Sequence, residues 1–223
     1  MKVSTAIDTR MSCRAFTDQA VPAATLREIL TLAARAPSGG NLQPWLVHAV
    51  VGDKLCELRA MIAAKLPNQP NGEGAEYPIY PPELKEPYRS RRFKCGEDLY
   101  ATIGVTRDNK PGRLAQFARN YQFFGAPQAL FFSIDRQMGS DQWSDLGMFM
   151  QSIMLLAREY GLHTCAQEAW SVWHKTLGEF LGLTPNVMFF CGMAIGHRDE
   201  SAPINRLRTD RAPQDEWLRF IGA

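Results

Sequence analysis

Two arginines that flank a serine are the first residues suited to binding an anion. Arg10, Ser12 and Arg14 alternate near the start of the chain, so a locally extended segment would project them together. Guanidinium groups bind phosphate oxygens in pairs, and the hydroxyl would add a hydrogen bond. Arginine pairs are more often solvated, so the motif by itself favours plain surface.

Two further segments could contact a ligand through their backbone. Residues 36–45, APSGGNLQPW, join a predicted helix to a predicted strand, and their glycines allow a close approach to a ligand. A plain turn with Trp45 in the core is the alternative. Residues 161–168, GLHTCAQE, follow a long apolar helix, where free N–H groups could meet a planar ligand. His163 and Cys165 lack a third orienting residue, so we expect no nucleophilic catalysis.

Basic residues occur in the tail and in the middle of the chain. Residues 205–213, NRLRTDRAP, place three arginines in a polar tail, where they could neutralise a phosphate or remain in water. The basic residues within 85–94 are typical of a solvated helix face. The sequence has no GxGxxG motif after a strand, no P-loop, and no pair of histidines at metal-ligand spacing. We therefore predict no metal site.

Hydrophobic periodicity predicts the elements that position these motifs. Apolar spacing predicts helices at 1–6, 24–36, 54–65, 89–103, 113–123 and 141–160. Runs rich in β-branched and aromatic residues predict strands at 45–51, 128–134 and 187–195, the first of them buried. A helix-rich order with three or four strands predicts one α+β domain over residues 1–223.

Residues 67–88 differ from the rest because six prolines exclude regular structure. A long loop of this kind is either a binding segment or a plain surface excursion. Tyr77, Tyr80 and Tyr88 make it our candidate for a substrate-facing wall, since aromatic rings stack on flat ligands. Residues 201–223 are expected to form a polar C-terminal extension.

Composition excludes several classes of protein. The formal net charge of +2 is too small for a nucleic-acid-binding protein, and no apolar stretch reaches the roughly 20 residues that span a bilayer. The five scattered cysteines are typical of reduced thiols, and the N-terminus lacks the apolar core of a signal peptide. These features predict a cytoplasmic protein.

The motifs occur in the order found in the nitroreductase family, which the chain resembles. The resemblance is carried by TRMSCRAF, APSGGNLQPW, DLGMFMQSIMLLAREYGLHTCAQEAW and NRLRTDRAP, and RRFKCGEDLY and RNYQFFGAP are similar to the bacterial nitrobenzoate-reductase branch. It implies a nitroreductase-like FMN-binding fold of the α+β class, with a central, mostly antiparallel sheet flanked by helices. It also implies an intertwined homodimer with FMN at the interface.

The resemblance implies specific roles at the flavin. Arg10 and Arg211 would hold the phosphate, and Arg14 would lie at the N1/O2 edge of the ring. Residues 37–41 would reach the flavin from the partner subunit. Residues 166–168 would place an N–H at N5, although the Gln-Glu of this chain replaces the Glu-Gly of some relatives, so side-chain roles there do not transfer.

Two assignments within this set have alternatives. Asn120 would bind the pyrimidine edge, with Arg119 as the alternative, and Arg208 would replace a basic residue that the family often has nearby. The implied cofactor-binding residues are Arg10, Ser12, Arg14, Pro37, Ser38, Gly39, Asn41, Asn120, Ala166, Gln167, Glu168, Arg208 and Arg211.

The implied activity is reduction of nitroaromatic or other flat, electron-poor compounds with NADH or NADPH. FMN would carry the redox chemistry in a ping-pong cycle, so no catalytic residue is expected from the protein. A cationic Arg14 would stabilise the anionic reduced flavin. The alternatives are a quinone, enone or flavin reductase on the same scaffold, or a non-catalytic flavin-binding protein. The expected partners are a second copy of the chain and a small substrate, with no nucleic acid and no membrane.

Overall fold

Four segments of the chain form one antiparallel sheet. The computed structural model describes residues 1–222, and the strands are β1 (Leu46–Val51), β2 (Gln128–Asp135), β3 (His163–Gln167) and β4 (Val187–Gly196). Their order across the sheet is β1-β2-β4-β3, with every neighbouring pair antiparallel. The predicted α+β class and the mostly antiparallel sheet are confirmed.

Helices cover both faces of this sheet. They are α1 (Val3–Thr9), α2 (Ala23–Ala33), α3 (Gly52–Lys65), α4 (Tyr88–Ala101), α5 (Lys110–Ala118), α6 (Ser140–Glu159) and α7 (His174–Leu181). Gly161 ends the α6 segment with a left-handed φ of 72°, which glycine adopts without steric cost. None of the helices within residues 1–222 is long and apolar enough to cross a bilayer.

The sheet separates two hydrophobic cores because strand side chains alternate between its faces. On β2, Ala129 and Phe131 pack into the core beneath α3, whereas Leu130, Phe132 and Ile134 pack into the core beneath α2 and α6. All residues of β2 from Gln128 to Ile134 are buried, as expected for a central strand covered on both sides.

The structure corrects two of the predicted elements and adds two short ones. The strand predicted as buried at 45–51 is the edge strand β1, with Leu46 and Val51 exposed. The helix predicted at 113–123 ends at Ala118 and continues as a 3-10 turn, in which Phe123 and Phe124 take positive φ angles of 50° and 55°. The short elements β3 and α7 were not predicted.

The proline-rich segment between α3 and α4 has no helix or strand, as predicted, yet its first half is anchored. Glu73 accepts hydrogen bonds from the N–H groups of Lys175 and Thr176, at 3.1 and 3.0 Å, in the first turn of α7. A carboxylate there satisfies N–H groups that have no partner within the helix. The backbone N–H of Glu73 also donates to the carbonyl of Val172 at 2.7 Å. The first half of the loop is therefore part of the folded scaffold.

The C-terminal segment from residue 201 onward contains two 3-10 turns, Pro203–Arg206 and Gln214–Glu216. The last residue of the predicted extension, Ala223, lies outside the described residues.

Candidate functional site

A cavity of about 350 Å³ opens at the C-terminal end of β3. Five residues predicted to bind the cofactor line it: Arg14, Asn120, Ala166, Gln167 and Glu168. Much of the remaining wall is aromatic or aliphatic and comes from α4, α5, the 3-10 turn after α5 and the proline-rich loop. Its residues include Tyr80, Leu99, Tyr100, Phe117 and Phe124. Flat apolar walls with a few polar groups suit a planar ligand.

The segment that carries Arg14 is held against the outer edge of β3. Ser12 forms a parallel bridge with Thr164, and the N–H of Cys13 donates to the carbonyl of Thr164 at 2.9 Å. The Arg14 guanidinium turns back to donate to the carbonyl of Ser12 at 3.3 Å. These contacts hold Arg14 at the cavity wall, and no carboxylate within residues 1–222 forms an ion pair with it.

Asn205 fixes the same segment from the opposite side. This side chain is 2% exposed, accepts from the N–H of Arg14 at 2.8 Å, and donates to the carbonyls of Ala15 and Asp199 at 2.8 and 2.9 Å. Sequence reasoning placed Asn205 in the basic motif but gave it no role. Local sequence patterns carry no signal for this role, because the partners Arg14 and Ala15 are 191 and 190 positions away.

Arg10 and Arg211 lie close enough to affect one another. Burial, and then the charge of Arg211, lower the pKa of Arg10. Two like charges repel unless an anion lies between them, so this pair is suited to a phosphate. The N-terminal and C-terminal segments, almost 200 residues apart in sequence, also meet through the ion pair between Asp8 and Arg208 at 2.6 Å.

Asn120 and Gln167 form a hydrogen-bonded pair in the cavity wall. Gln167 is 2% exposed, and its Nε2 donates to the carbonyl and side-chain oxygens of Asn120 at 2.8 and 3.3 Å. The Oε1 of Gln167 is buried and receives no hydrogen bond from residues 1–222. Leaving such an oxygen unpaired costs about 1–3 kcal/mol, so a donor that reached it would stabilise the folded state. Arg119 lies in a separate groove of about 380 Å³ between α3 and α5.

Glu168 contributes a carboxyl group to the same wall. It is partly buried, and burial raises its pKa. No ion pair or side-chain hydrogen bond involves it among the described residues. The cavity wall therefore carries one cation, Arg14, and one carboxyl group, Glu168, whose ionised form is disfavoured by burial.

The turn at residues 37–41 lies elsewhere, and none of it lines the cavity. Gly39 donates its N–H to the buried carboxylate of Asp145 on α6 at 3.2 Å, and the N–H of Gln43 donates to Ser38 Oγ at 3.0 Å. Asn41 takes a positive φ of 57°, and the turn is largely exposed. The structure therefore presents residues 37–41 at the surface in a defined shape, apart from the cavity of the same chain.

The two arginines of the C-terminal motif that were predicted to bind the cofactor, Arg208 and Arg211, are arranged differently. Arg208 is exposed and pairs with Asp8 at 2.6 Å, and it does not line the cavity. Arg211 donates to the carbonyls of Thr209 and Asp210 and lies near Arg10. Both arginines therefore lie near the N-terminal segment, and Arg211 is the one whose charge acts on Arg10.

The tyrosines of the proline-rich loop have three different environments. Tyr77 donates its hydroxyl to the carbonyl of Phe190, and its ring packs against Trp143 with centroids 5.3 Å apart, so it anchors the loop. Tyr80 lines the cavity, whereas Tyr88 is 61% exposed. Within this set, Tyr80 is the residue that could contact a ligand in the cavity.

His163 and Cys165 on β3 are unsuited to nucleophilic chemistry. Burial lowers the pKa of His163 to about 4 and raises the pKa of Cys165, so the imidazole and the thiol are both neutral near pH 7. A thiol that remains protonated is a poor nucleophile. All five cysteines are free, and three of them are buried.

Comparison with known proteins gives consistent matches. The family model described as "Nitroreductase family" matches residues 7–197. A 4-nitrobenzoate reductase of Pseudomonas putida is 33% identical and covers 97% of this chain and 94% of its own. The crystal structure of the FMN and NADPH-dependent nitroreductase NfnB from sphigopyxis sp. strain HMH superposes with a TM-score of 0.97 at 46% identity over 100% of both chains. NfnB of Mycobacterium smegmatis, solved in complex with NADPH, gives a TM-score of 0.92 at 27% identity over 99% of this chain and 100% of its own.

Proposed function

The chain belongs to the nitroreductase family, and from this premise we propose that it is an FMN-dependent enzyme that uses NADPH or NADH to reduce nitroaromatic compounds. The observation that carries the proposal is the cavity beside β3, where Arg14, Asn120 and Gln167 meet an aromatic wall. The named activities of the relatives support the same chemistry, since they include reductases of 4-nitrobenzoate and nitrobenzene and FMN-dependent nitroreductases.

The groups around the cavity match the parts of FMN. The flavin ring is flat, with polar atoms along one edge, and its side chain ends in a phosphate. Arg14 would offer hydrogen bonds to the polar edge, beside the wall that Asn120 and Gln167 form. The mutually repelling pair of Arg10 and Arg211 would gain stability from a phosphate. We propose these residues as the flavin contacts of one subunit, together with Ser12, Ala166 and Glu168.

The side chains of the cavity would orient the reactants and stabilise charge. When bound, FMN supplies the redox chemistry, taking reducing equivalents from a nicotinamide and passing them to a second compound. The Arg14 cation favours negative charge next to it, and its position is preorganised by Ser12 and Asn205. The rings of Tyr80 and Phe117 would stack on a flat substrate and exclude water. The nicotinamide and the nitroaromatic compound could occupy this cavity in turn, and we therefore propose a ping-pong cycle.

A second copy of the chain would complete the site. The turn at residues 37–41 is exposed and held in shape by Asp145, and the adjacent Leu42 and Leu46 are 55% and 42% exposed. We propose a homodimer in which this turn contacts the flavin of the partner subunit. Sedimentation should then give a dimer, and a stable monomer that retains FMN would contradict the arrangement.

We further propose that residues 1–223 act as one domain and that the protein is cytoplasmic. The single sheet draws its strands from positions 46 to 196, which argues against a division of the chain within that range. The five free cysteines favour a reducing compartment.

The test is an anaerobic absorbance spectrum of the purified protein. Flavin absorbance should bleach on addition of NADPH or NADH and return on addition of a nitroaromatic compound. A protein that takes up no FMN would refute the cofactor, and one whose flavin is not bleached would be a flavin-binding protein without turnover.

Arg14→Gln should lower kcat about tenfold, because a hydrogen bond to a charged group is lost. The exposed Arg27→Gln on α2 is the matched control and should be unchanged.

A further inference from the structure

We propose that Arg92, on α4, selects ligands that carry an anionic oxygen group, a phosphate or a carboxylate, at the outer end of the cavity. The inference rests on the proposed function and goes beyond it by assigning a specificity-determining residue. It addresses which nicotinamide dinucleotide and which nitroaromatic compound the enzyme prefers.

Arg92 is distinguished by its lack of a charged partner. The neighbouring basic residues of α4 are already paired: Arg89 with Glu86, Arg91 with Glu216, and Lys94 with both Asp98 and Asp210. Within residues 1–222, the side chain of Arg92 makes neither an ion pair nor a hydrogen bond. Its charge is therefore available to a ligand, whereas the charges beside it are largely compensated.

The position of Arg92 connects it to the cavity. Its guanidinium carbon lies 3.9 Å from the centroid of the Tyr80 ring, and Tyr80 is part of the cavity wall. Leu99, another wall residue, follows Arg92 by seven positions on α4. Seven residues are two helical turns, so the two side chains share one face of the helix about 10 Å apart along the axis. Arg92 therefore stands at the rim of the cavity, above its aromatic wall.

The place of the guanidinium over the Tyr80 ring leaves it suited to recognition. A guanidinium held over the face of a ring can still direct N–H groups outward, where they can bind two oxygens of a phosphate or carboxylate. The ring also restricts the side chain, so less conformational entropy is lost on binding. A ligand with its reactive end near Arg14 and an anionic group farther out would meet a cation at both ends.

The test compares pairs of ligands that differ mainly in charge. NADPH carries a phosphate that NADH lacks, and 4-nitrobenzoate carries a carboxylate that nitrobenzene lacks. In one of the two pairs, the FMN-loaded Arg92→Gln enzyme should lose about tenfold in kcat/KM for the more anionic compound, with little change for the less anionic compound of that pair. The ratio of the two kcat/KM values in that pair should therefore fall. Arg89→Gln, on the same helix but paired with Glu86, is the matched control and should leave the kcat/KM ratio of each pair unchanged. The effect in the wild-type enzyme should weaken with added salt.

The outcomes separate the source of the anionic group. A fall in the NADPH-to-NADH ratio identifies the dinucleotide phosphate, and a fall in the nitrobenzoate-to-nitrobenzene ratio identifies the substrate carboxylate. An equal loss for both members of each pair would mean that Arg92 only supports Tyr80, and it would overturn the inference, as would no loss at all. A wild-type enzyme that turns over none of the four compounds would overturn the proposed function itself, and this inference with it.

Discussion

His163 should make the protein lose stability in mild acid, because its imidazole is buried in a neutral state. The side chain is 6% exposed on β3, and its Nδ1 has no hydrogen-bond partner within the described residues. Burial is the main cause that lowers its pKa from 6.5 to about 4, and the nearby charges of Arg158, Arg198 and His197 act in the same direction. Protonation of this ring in the folded state is therefore unfavourable.

The size of the effect follows from the two pKa values. Between pH 6.5 and pH 4 the unfolded chain binds a proton that the folded chain does not, so the free energy of unfolding falls as the pH falls. The loss approaches about 3 kcal/mol well below pH 4 and amounts to about 2 kcal/mol between pH 7 and pH 5. For a chain of this length, about 2 kcal/mol corresponds to roughly 4–8 °C in Tm.

The assay is a set of thermal melts between pH 5 and pH 7 for the wild type and for His163→Gln. Glutamine cannot titrate, so the variant should lose roughly 4–8 °C less than the wild type over this range, whatever its stability at pH 7. His174→Gln removes a histidine that is hydrogen-bonded to the carbonyl of Gly74 near the surface, and it controls for the loss of an imidazole. Parallel wild-type and His163→Gln curves would refute the reasoning.

Two further predictions concern the turn and the sheet. Asp145→Asn weakens the hydrogen bond that holds Gly39 and should raise the Kd for FMN about fivefold in a fluorescence titration, with unchanged affinity contradicting a positioning role. Gly192→Ala would place a Cβ 2.7 Å from Cδ1 of the buried Trp170, so calorimetry should show a loss of about 1–3 kcal/mol. Gly147→Ala, where a Cβ meets nothing within 4 Å, should instead be neutral or stabilising.

Local patterns predicted those elements whose periodicity is long and strong. The apolar spacing from Leu146 to Ala157 predicted α6 to within one residue at each end. Strand β3 has only five residues, HTCAQ, and its sequence is not typical of a strand. It forms because it pairs with β4, from His163 opposite Gly196 to Gln167 opposite Gly192, and single-segment patterns carry no information about that pairing.

The end of α5 shows tertiary packing overriding local preference. Phe123 adopts a positive φ, which is uncommon for a bulky residue. Its ring stacks on that of Trp170, with centroids 4.7 Å apart, and packs edge-on against that of Phe131, with centroids 5.6 Å apart. These partners lie in β2 and beyond β3, so the helical periodicity of 113–123 could not reveal the break.

The residues of the candidate site that belong to recognised sequence motifs could be predicted. Arg14 and Gln167 were expected from the family resemblance, and both line the cavity. Leu99 and Phe117 were not expected there, because ordinary helix residues become wall residues only through the placement of α4 and α5. Asn205 was missed as a positioning residue for the same reason, since its partner Arg14 is 191 positions away.

The anchors of the proline-rich loop bear on how enzymes of this shape can be redesigned. Glu73 and Tyr77 tie the first half of the loop to the scaffold, whereas residues 78–87 run from Tyr77 to the start of α4 and carry the wall residue Tyr80. Lengthening a loop costs only about 0.6 kcal/mol per doubling. Libraries that vary the length of residues 78–87 would therefore reshape one wall of the cavity and leave the folded remainder intact. Changes in loop length offer a way to alter substrate range that single substitutions in the rigid walls do not.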